Sequence, residues 1–297
     1  MAINPAFIEV SVAVHRHNVA NLESLMEEHG AFSITLSDLA DVPVLEPPFG
    51  ETPLWPEVVV SGLFSADTPL QTLKSALSLA PGVEAIDQIA VTGLEDRDWS
   101  ITWREGIEPM RFGQSLWIVP NHLEPPDPTA TNLRLDPGLA FGSGTHPSTR
   151  LCLEWIDSRA FRGLNVVDYG CGSGVLAVAV ALKGAARVDC VDIDPQALVA
   201  TRENAIANGV GDRVDVLLSE KRSADPADIV LANLLSGTLI QLAPTLGAMV
   251  RNGGWLMLAG ILDHQAEAVM DAFGDRFPGW EQARHDDWVG LSARARG

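Results

Sequence analysis

In the first ninety residues, segments in which apolar and polar residues alternate, as in a strand, are interspersed with segments in which apolar residues recur at helical spacing. Residues 6–14 (AFIEVSVAV) alternate apolar and polar side chains and are rich in β-branched residues, which predicts a strand. In residues 18–29 the apolar positions recur at helical spacing, and Gly30 follows where a helix commonly ends. The whole pattern predicts strand 6–14, helix 18–29, strand 31–39, strand 57–64, helix 68–79 and strand 83–91. This order is typical of a small ferredoxin-like α+β unit.

From residue 110 the pattern changes, and short apolar runs come to alternate with helical segments. We predict strands at 166–169, 188–192, 214–217, 228–232 and 255–259, and helices at 175–182, 195–208 and 235–250. Such alternation is typical of a parallel sheet covered by helices on both faces. Residues 288–293 (WVGLSA) are predicted to add a final antiparallel strand at the edge of this sheet.

A charged segment, residues 93–108, separates the two patterns. Trp99 and Trp103 lie at helical spacing within it, so we predict a linker helix whose two indoles pack on a neighbouring domain. The expected organisation is a ferredoxin-like domain at 1–92, a linker helix at 93–108 and an α/β domain at 109–297.

The net charge narrows the range of partners. The 297 residues include 39 Asp and Glu against 20 Lys and Arg, a formal net charge of -19. No run of basic residues is present, so we expect repulsion from phosphate backbones and anionic lipid, and neither nucleic acid nor membrane as a partner. The excess is uneven, with 15 acidic and 3 basic residues in 1–100. This is either a solubility surface or an acidic domain that attracts a cationic partner.

The cysteines and the N-terminus indicate the compartment. Cys152, Cys171 and Cys190 match neither a CxxC nor a metal-ligand spacing, so we expect reduced thiols and no metal. No signal-peptide pattern and no bilayer-length apolar run is visible. We therefore expect a cytoplasmic protein. We also expect it to act as a monomer.

The strongest local signal is at residues 166–174 (VVDYGCGSG). A buried strand runs into Gly170, Gly172 and Gly174, and a helix follows. Glycines at such a turn let the backbone approach a ligand closely. The spacing is G-x-G-x-G, and the Gly-Lys-Ser/Thr of a Walker loop is absent. The pattern favours a nucleoside-binding loop, with a tight turn that binds nothing as the alternative.

Polar residues at the ends of the following strands extend this candidate site. An acid about twenty residues after the glycines is expected to bind ribose hydroxyls, and Asp192 occupies that place. Asp194 and Pro195 are instead typical of a helix start. Asn233 ends the fourth predicted strand of the sheet, where its amide can donate or accept hydrogen bonds.

Residues 135–149 (LDPGLAFGSGTHPST) combine two turn signals with Phe141, Thr145 and His146. A helix that begins near Pro147 would direct its free N–H groups towards the site. His146 is either a base or metal ligand, or a structural residue beside the cofactor. The second role is favoured, because no carboxylate or cysteine at ligand spacing accompanies it.

With these elements in this order, the chain resembles the ribosomal protein L-eleven methyltransferase family (PrmA), which belongs to the class I S-adenosylmethionine-dependent methyltransferases. The resemblance covers almost the whole chain. Its most specific segment is 135–149, whereas the glycine loop is generic. The matching segments are 108–117 (EPMRFGQSLW), 135–149, 167–174 (VDYGCGSG), 192–197 (DIDPQA), 232–237 (ANLLSG) and 253–262 (GGWLMLAGIL).

The resemblance implies a fold and an activity. The fold is a Rossmann-like class I methyltransferase domain, a parallel sheet with an antiparallel edge strand, preceded by a small ferredoxin-like domain that recognises the substrate. The cofactor is S-adenosyl-L-methionine. The substrate is the eleventh large-subunit ribosomal protein, methylated on lysine side chains and on its N-terminal α-amine, up to trimethylation.

The resemblance also implies the site residues. Carried over by motif, the cofactor contacts fall on Thr145, Gly170, Asp192 and Asn233. We assign no general base and expect Asn233 to orient the reacting groups. The expected site also includes Phe141, His146, Gly172 and Gly174.

Other functions are weighed against this one. A class I methyltransferase for a small cationic amine metabolite is the main alternative, in which the N-terminal domain would only cap the site. A non-catalytic binding module is disfavoured by the intact glycines, Asp192 and Asn233. A nucleic-acid methyltransferase is disfavoured by the charge and by the residues after Asn233, since Leu234 and Leu235 replace the Pro-Pro of Asn-Pro-Pro-Tyr enzymes.

Overall fold

The computed structural model describes residues 6–40, 54–94, 108–136, 146–219 and 225–297. The chain divides into two compact units, Met1–Glu105 and Gly106–Gly297. Among the described residues, no helix is long and apolar enough to cross a membrane.

The N-terminal unit is one antiparallel sheet with two helices. Its elements are β1 (Phe7–His15), α1 (Val19–Glu28), β2 (Ser33–Asp38), β3 (Glu57–Ser65), α2 (Leu70–Leu77) and β4 (Ala90–Leu94). The spatial order of the strands is β2-β3-β1-β4, and every neighbouring pair is antiparallel. This is the ferredoxin-like arrangement that the hydrophobic pattern predicts.

The core of this unit follows from the alternation in β1. Ile8, Val10, Val12 and Val14 are buried on one face of the sheet, in a cluster with residues of both helices. Helix α1 ends as predicted, because Gly30 takes the left-handed conformation at φ 87°.

The last strand of this unit begins later than predicted. The expected strand 83–91 is wrong at its start, since β4 begins at Ala90 and residues Ile86–Gln88 form a 3₁₀ turn. The Gln88 side-chain oxygen accepts from the N–H groups of Glu84 and Ala85, at 2.9 and 3.3 Å, and this local bonding replaces a strand ladder.

The predicted linker helix falls almost entirely outside the described residues. Residues 95–107 are not described, and they include Trp99 and Trp103. Gly93 and Leu94, which we assigned to the linker, belong to β4 instead. At the other end, Glu108 is not helical.

The C-terminal unit contains two sheets. A small sheet holds β5 (Met110–Phe112), β6 (Leu116–Val119) and β7 (Thr131–Arg134). The helices are α3 (Pro147–Asp157), α4 (Val175–Leu182), α5 (Pro195–Ala207), α6 (Ser236–Met249) and α7 (Ala266–Phe273). The strands of the large sheet are β8 (Asn165–Tyr169), β9 (Arg187–Asp192), β10 (Val214–Leu218), β11 (Ala227–Asn233), β12 (Val250–Leu262), β13 (Glu281–His285) and β14 (Trp288–Arg294).

The large sheet has the order β10-β9-β8-β11-β12-β14-β13. Strands β10 to β12 are mutually parallel, which confirms the predicted α/β sheet. Strand β14 is antiparallel to β12 as expected, but it does not form the edge. Strand β13 pairs on its outer side, and its sequence EQARH lacks the apolar alternation that would have predicted it.

Helix α4 shows why this sheet is stable. Seven of its eight residues are buried, so it is apolar on all sides and packs within the unit. Its apolar residues join those of β8 and β9 in one core cluster. The polar exception in β8 is Asp168, whose side chain is buried at the end of the strand.

Candidate functional site

The candidate site lies where the strand order of the large sheet reverses. From β8 the chain adds β9 and β10 on one side, and then β11 and β12 on the other. Ligands of open α/β sheets bind at the carboxyl ends of the strands at such a point. Here β8, β9 and β11 end at Tyr169, Asp192 and Asn233.

The three glycines adopt a backbone conformation that would be strained for any other residue. Gly170, Gly172 and Gly174 have φ of 76°, 54° and 75°. A Cβ on Gly170 would meet the end of the Leu234 side chain, and one on Gly174 would lie 2.7 Å from the Thr201 Cγ2 atom and 2.9 Å from its Cβ atom. Conformation therefore favours glycine at all three positions, and the lack of space favours it further at Gly174, where the loop follows the strand closely into α4.

Asp192 ties the glycine loop to the end of β9. Its Oδ2 atom accepts from the Gly172 N–H at 3.0 Å, and its Oδ1 atom accepts from the Asp194 N–H at 3.0 Å. Asp194 begins α5 as predicted, because its carboxylate accepts from the Gln196 N–H at 2.9 Å and Pro195 occupies the first turn. Two backbone bonds thus orient the Asp192 carboxylate at the carboxyl edge.

Two side chains of α5 hold the loop from the other side. The Thr201 hydroxyl donates to the Gly172 carbonyl at 3.0 Å, and the Asn204 amide donates to the Ser173 carbonyl at 2.9 Å. The loop geometry therefore depends on residues about thirty positions later in the chain.

Asp168 is a buried carboxyl beneath this loop. Its Oδ2 atom accepts from the Ala177 N–H at 3.1 Å. Burial raises the pKa of Asp168 to about 7, and the charge of Asp192 adds to the increase, whereas the Ala177 hydrogen bond opposes it. The group therefore titrates near neutral pH.

Asn233 is fixed by a residue of α3. Its Nδ2 atom donates to the Thr149 hydroxyl at 3.3 Å. This bond helps to orient the Asn233 amide. The backbone beside it is also held, since the Leu234 N–H donates to the Ala259 carbonyl on β12 at 3.1 Å.

His146 begins α3 at the same edge. Its Nδ1 atom accepts from the Ser148 N–H at 3.2 Å, and its ring packs edge-on against Trp288 with centroids 4.5 Å apart. Burial lowers the pKa of His146, which favours the neutral ring. Because Nδ1 accepts a hydrogen bond, the proton of the neutral ring is assigned to Nε2. This geometry supports the structural role over that of a base.

The structure brings some of the predicted site residues together and leaves others outside its description. Gly170, Gly172, Gly174, Asp192, Asn233 and His146 all lie at the carboxyl edge of the large sheet or at the helix that begins beside it. Phe141 and Thr145 lie within residues 137–145, outside the described part of the chain.

Three residues of the site escaped prediction. Ile193 is 80% exposed immediately after Asp192, and an apolar side chain there offers a contact surface to a ligand. Its position between Asp192 and Asp194, at the end of a predicted strand, is the sequence feature that could have indicated it. Thr149 and Trp288 come from segments far from Asn233 and His146 in the chain, so no local pattern pairs them.

Comparison with known proteins identifies the family. The profile of "Ribosomal protein L11 methyltransferase (PrmA)" matches residues 6–296. The chain belongs to this family. The ribosomal protein L11 methyltransferase of Marinobacter nauticus is 45% identical over 294 residues, which cover 98% of this chain and 99% of that protein. That of Cellvibrio japonicus is 46% identical over 289 residues, covering 97% and 98%.

A solved structure supports the same assignment. The crystal structure of ribosomal protein L11 methylase from Lactobacillus delbrueckii subsp. bulgaricus matches with a TM-score of 0.57 and 30% identity, covering 64% of this chain and 100% of that one. As a PrmA family member, the chain is a class I methyltransferase, and its cofactor is S-adenosylmethionine.

Proposed function

We propose that this methyltransferase modifies amines of ribosomal protein L11, namely lysine side chains and the N-terminal α-amine, up to trimethylation. The observation that carries the proposal is the extent of the similarity. Relatives named as L11 methyltransferases match along 98% of the chain, so the similarity includes the N-terminal unit as well as the catalytic one.

The residues at the carboxyl edge fit S-adenosylmethionine. The Asp192 carboxylate accepts two backbone N–H groups and keeps further lone pairs for ribose hydroxyls. Exposed Ile193 beside it offers an apolar surface for the adenine ring. We propose that Gly170, Gly172 and Gly174 admit the methionine portion, and that Asn233, Thr145, Phe141 and His146 complete the site.

When bound, S-adenosylmethionine supplies an electrophilic methyl group on a positively charged sulfur. The chain must present a neutral amine to it. A lysine amine with a pKa of about 10.4 is neutral about 0.1% of the time near pH 7.5, which costs about 4 kcal/mol, whereas an α-amine costs far less. Desolvation at the site lowers this cost, and positioning supplies much of the acceleration.

Asn233 is the proposed orienting residue. Because Thr149 accepts from its Nδ2 atom, the amide oxygen is available to accept an N–H of the incoming amine. His146 is engaged at Nδ1 by Ser148, and we assign it no proton transfer. No general base is needed if the amine sheds its proton to water before it enters.

We propose that residues 1–92 recognise the substrate protein and that residues 93–108 link them to the catalytic domain, 109–297. The enrichment of acidic residues in 1–100 supports this, because RNA-binding ribosomal proteins are basic. We further propose that the protein acts as a cytoplasmic monomer and without contact to nucleic acid.

The proposed site is tested by methylation of purified L11 in the presence of S-adenosylmethionine. We expect Asp192→Ala to raise the dissociation constant of the cofactor, and Asn233→Ala to lower kcat at least about 100-fold because it removes the orienting group. Asp189→Asn is the control, since Asp189 lies on the same strand and pairs with Arg187 at 2.8 Å. Full activity of both alanine variants would overturn the site assignment.

A further inference from the structure

A groove runs between the two helices of the N-terminal unit. It is lined by Asn21, Leu25, Ala76, Leu79, Ala80 and Pro81, and its volume is about 400 Å³. We call it the helix groove. The two helices that form it pack on the buried face of the β1–β4 sheet, so the groove is on the outer side of that layer.

The helix groove exposes a large apolar side chain to solvent. Leu79 is 86% exposed, more than any other large apolar residue that the structure describes. Its backbone is held in a turn, because the Leu79 N–H donates to the Ala76 carbonyl and the Ala80 N–H donates to the Leu77 carbonyl, both at 3.1 Å. Leu79 lines the groove together with the half-buried Leu25 and with Pro81, and a contiguous apolar patch of this kind is typical of a binding surface.

Charge around the helix groove specifies the chemistry of its occupant. In residues 6–40 and 54–94 there are nine Asp and Glu and only two Lys and Arg, and neither basic residue lines the groove. Exposed Glu28 is one helical turn beyond Leu25, and exposed Glu84 follows Pro81 by three residues. A matching ligand has an apolar side chain flanked by Lys or Arg.

The opposite face of the same sheet is a poorer candidate. Residues of β1 that alternate with the buried valines point away from the helices, and in the middle of that face the hydroxyls of Ser11 and Ser61 are hydrogen-bonded at 2.8 Å. Two exposed aromatic residues, Phe7 and Phe32, pack edge-on against each other, with ring centroids 6.0 Å apart.

We propose that the helix groove is the surface on which the basic substrate protein docks, by an apolar side chain flanked by basic residues. This inference rests on the proposed function and refines it, because it assigns substrate recognition to one face of the N-terminal unit. Docking there raises the local concentration of the substrate for the catalytic domain.

The experiment compares Leu79→Arg with Phe32→Arg in the full-length enzyme. Both variants replace an exposed apolar residue of the same unit by the same cation, but only the first lies in the helix groove. We expect Leu79→Arg to raise the KM for purified L11 at least tenfold, with kcat and the dissociation constant of S-adenosylmethionine unchanged. Phe32→Arg and the conservative Leu79→Met are expected to stay within about twofold of the parent.

Each outcome decides between the two proposals. A KM for Leu79→Arg within twofold of the parent, or an equal increase in Phe32→Arg, overturns the helix groove as the docking surface while L11 methylation by the parent stands. Failure of the parent enzyme to methylate L11 overturns the proposed function itself, and the groove assignment with it. Thermal unfolding of each variant confirms that the fold is retained.

Discussion

At the scale of single residues, the candidate site depends on acidic side chains near strand ends, whose carboxylates accept hydrogen bonds from backbone N–H groups. The sequence predicts that Asp194 begins a helix and that Asp192 binds ribose. The structure confirms the first role and places the Asp192 carboxylate against the glycine loop at the end of β9. It does not predict the state of Asp168, because the burial that raises its pKa is created by α4 and by neighbouring strands. Local sequence therefore predicts residues that the fold brings together at one edge of the sheet, but it does not predict the electrostatics there.

Asp168→Asn tests the electrostatics beneath the glycine loop. Because the folded-state pKa of about 7 lies above the ordinary 3.8, the stability associated with protonated Asp168 is fully present below pH 3.8 and is lost as pH rises through 7. Asparagine is always neutral and can still accept from Ala177. We expect the ligand-free variant to melt about 5 °C above the parent at pH 8.5, with a smaller difference at pH 5.

Calorimetry of both proteins at the two pH values measures this effect, with Asp189→Asn as the control on the neighbouring strand. If Asp168→Asn melts at or below the parent temperature at pH 8.5, the carboxyl is not an isolated buried charge, and the account of its pKa is wrong.

At the scale of elements, hydrophobic period predicts most strands and helices of both units. Helix α4 has the predicted bounds, Val175–Leu182, because its apolar run is bracketed by Gly174 and Lys183. The failures at β13 and at residues 83–89 share one cause, which is hydrogen bonding that no local period encodes. Helix α7, by contrast, has apolar residues at helical spacing and is still absent from the prediction. Strand β13 is polar and depends on β14, and residues 83–89 follow side-chain bonds of Gln88. The order of elements along the chain likewise does not predict that β14 lies between β12 and β13, so that β13 forms the edge of the sheet.

The C-terminal end of α3 offers a test of how an element is anchored. Burial alone would raise the pKa of Asp157, but hydrogen bonds to its carboxylate from the Ser115 hydroxyl, from the N–H groups of Gln114 and Ser115, and from Lys183 lower it to about 2. Its stabilisation is therefore present above pH 3.8 and is lost as pH falls through 2. We expect Asp157→Asn to cost the catalytic unit about 2 kcal/mol at pH 7, and less at pH 3.

Urea unfolding monitored by tryptophan fluorescence measures this loss. Asp212→Asn is the matched control. Asp212 is 81% exposed, and its ion pair with Arg213 is long, at 3.8 Å, so its loss is expected to change stability little. Equal stability of the two variants at pH 7 would show that the Asp157 hydrogen bonds do not anchor the helix.

At the scale of the whole molecule, charge is unevenly distributed. The net charge of -19 is concentrated towards the N-terminal unit, with 15 acidic and 3 basic residues in 1–100, while the candidate cofactor site lies in the C-terminal unit. Composition alone left solubility and attraction as alternatives. Family membership favours attraction, because a ribosomal substrate is a basic protein.

Salt distinguishes these alternatives. If acidic residues attract the substrate, raising NaCl from about 50 to 300 mM shortens the screening length and raises the KM for L11 several-fold. The dissociation constant of S-adenosylmethionine, measured by calorimetry over the same range, is expected to change less than twofold. A KM that is independent of salt would assign the acidic surface to solubility.

The central claim is that this methyltransferase acts on ribosomal protein L11, and the mass of that protein tests it most directly. L11 purified from cells that contain the chain is expected to be heavier, by whole methyl groups, than L11 from otherwise identical cells that lack it, with the added groups on lysine and N-terminal amines. Identical masses from the two sources would contradict the claim.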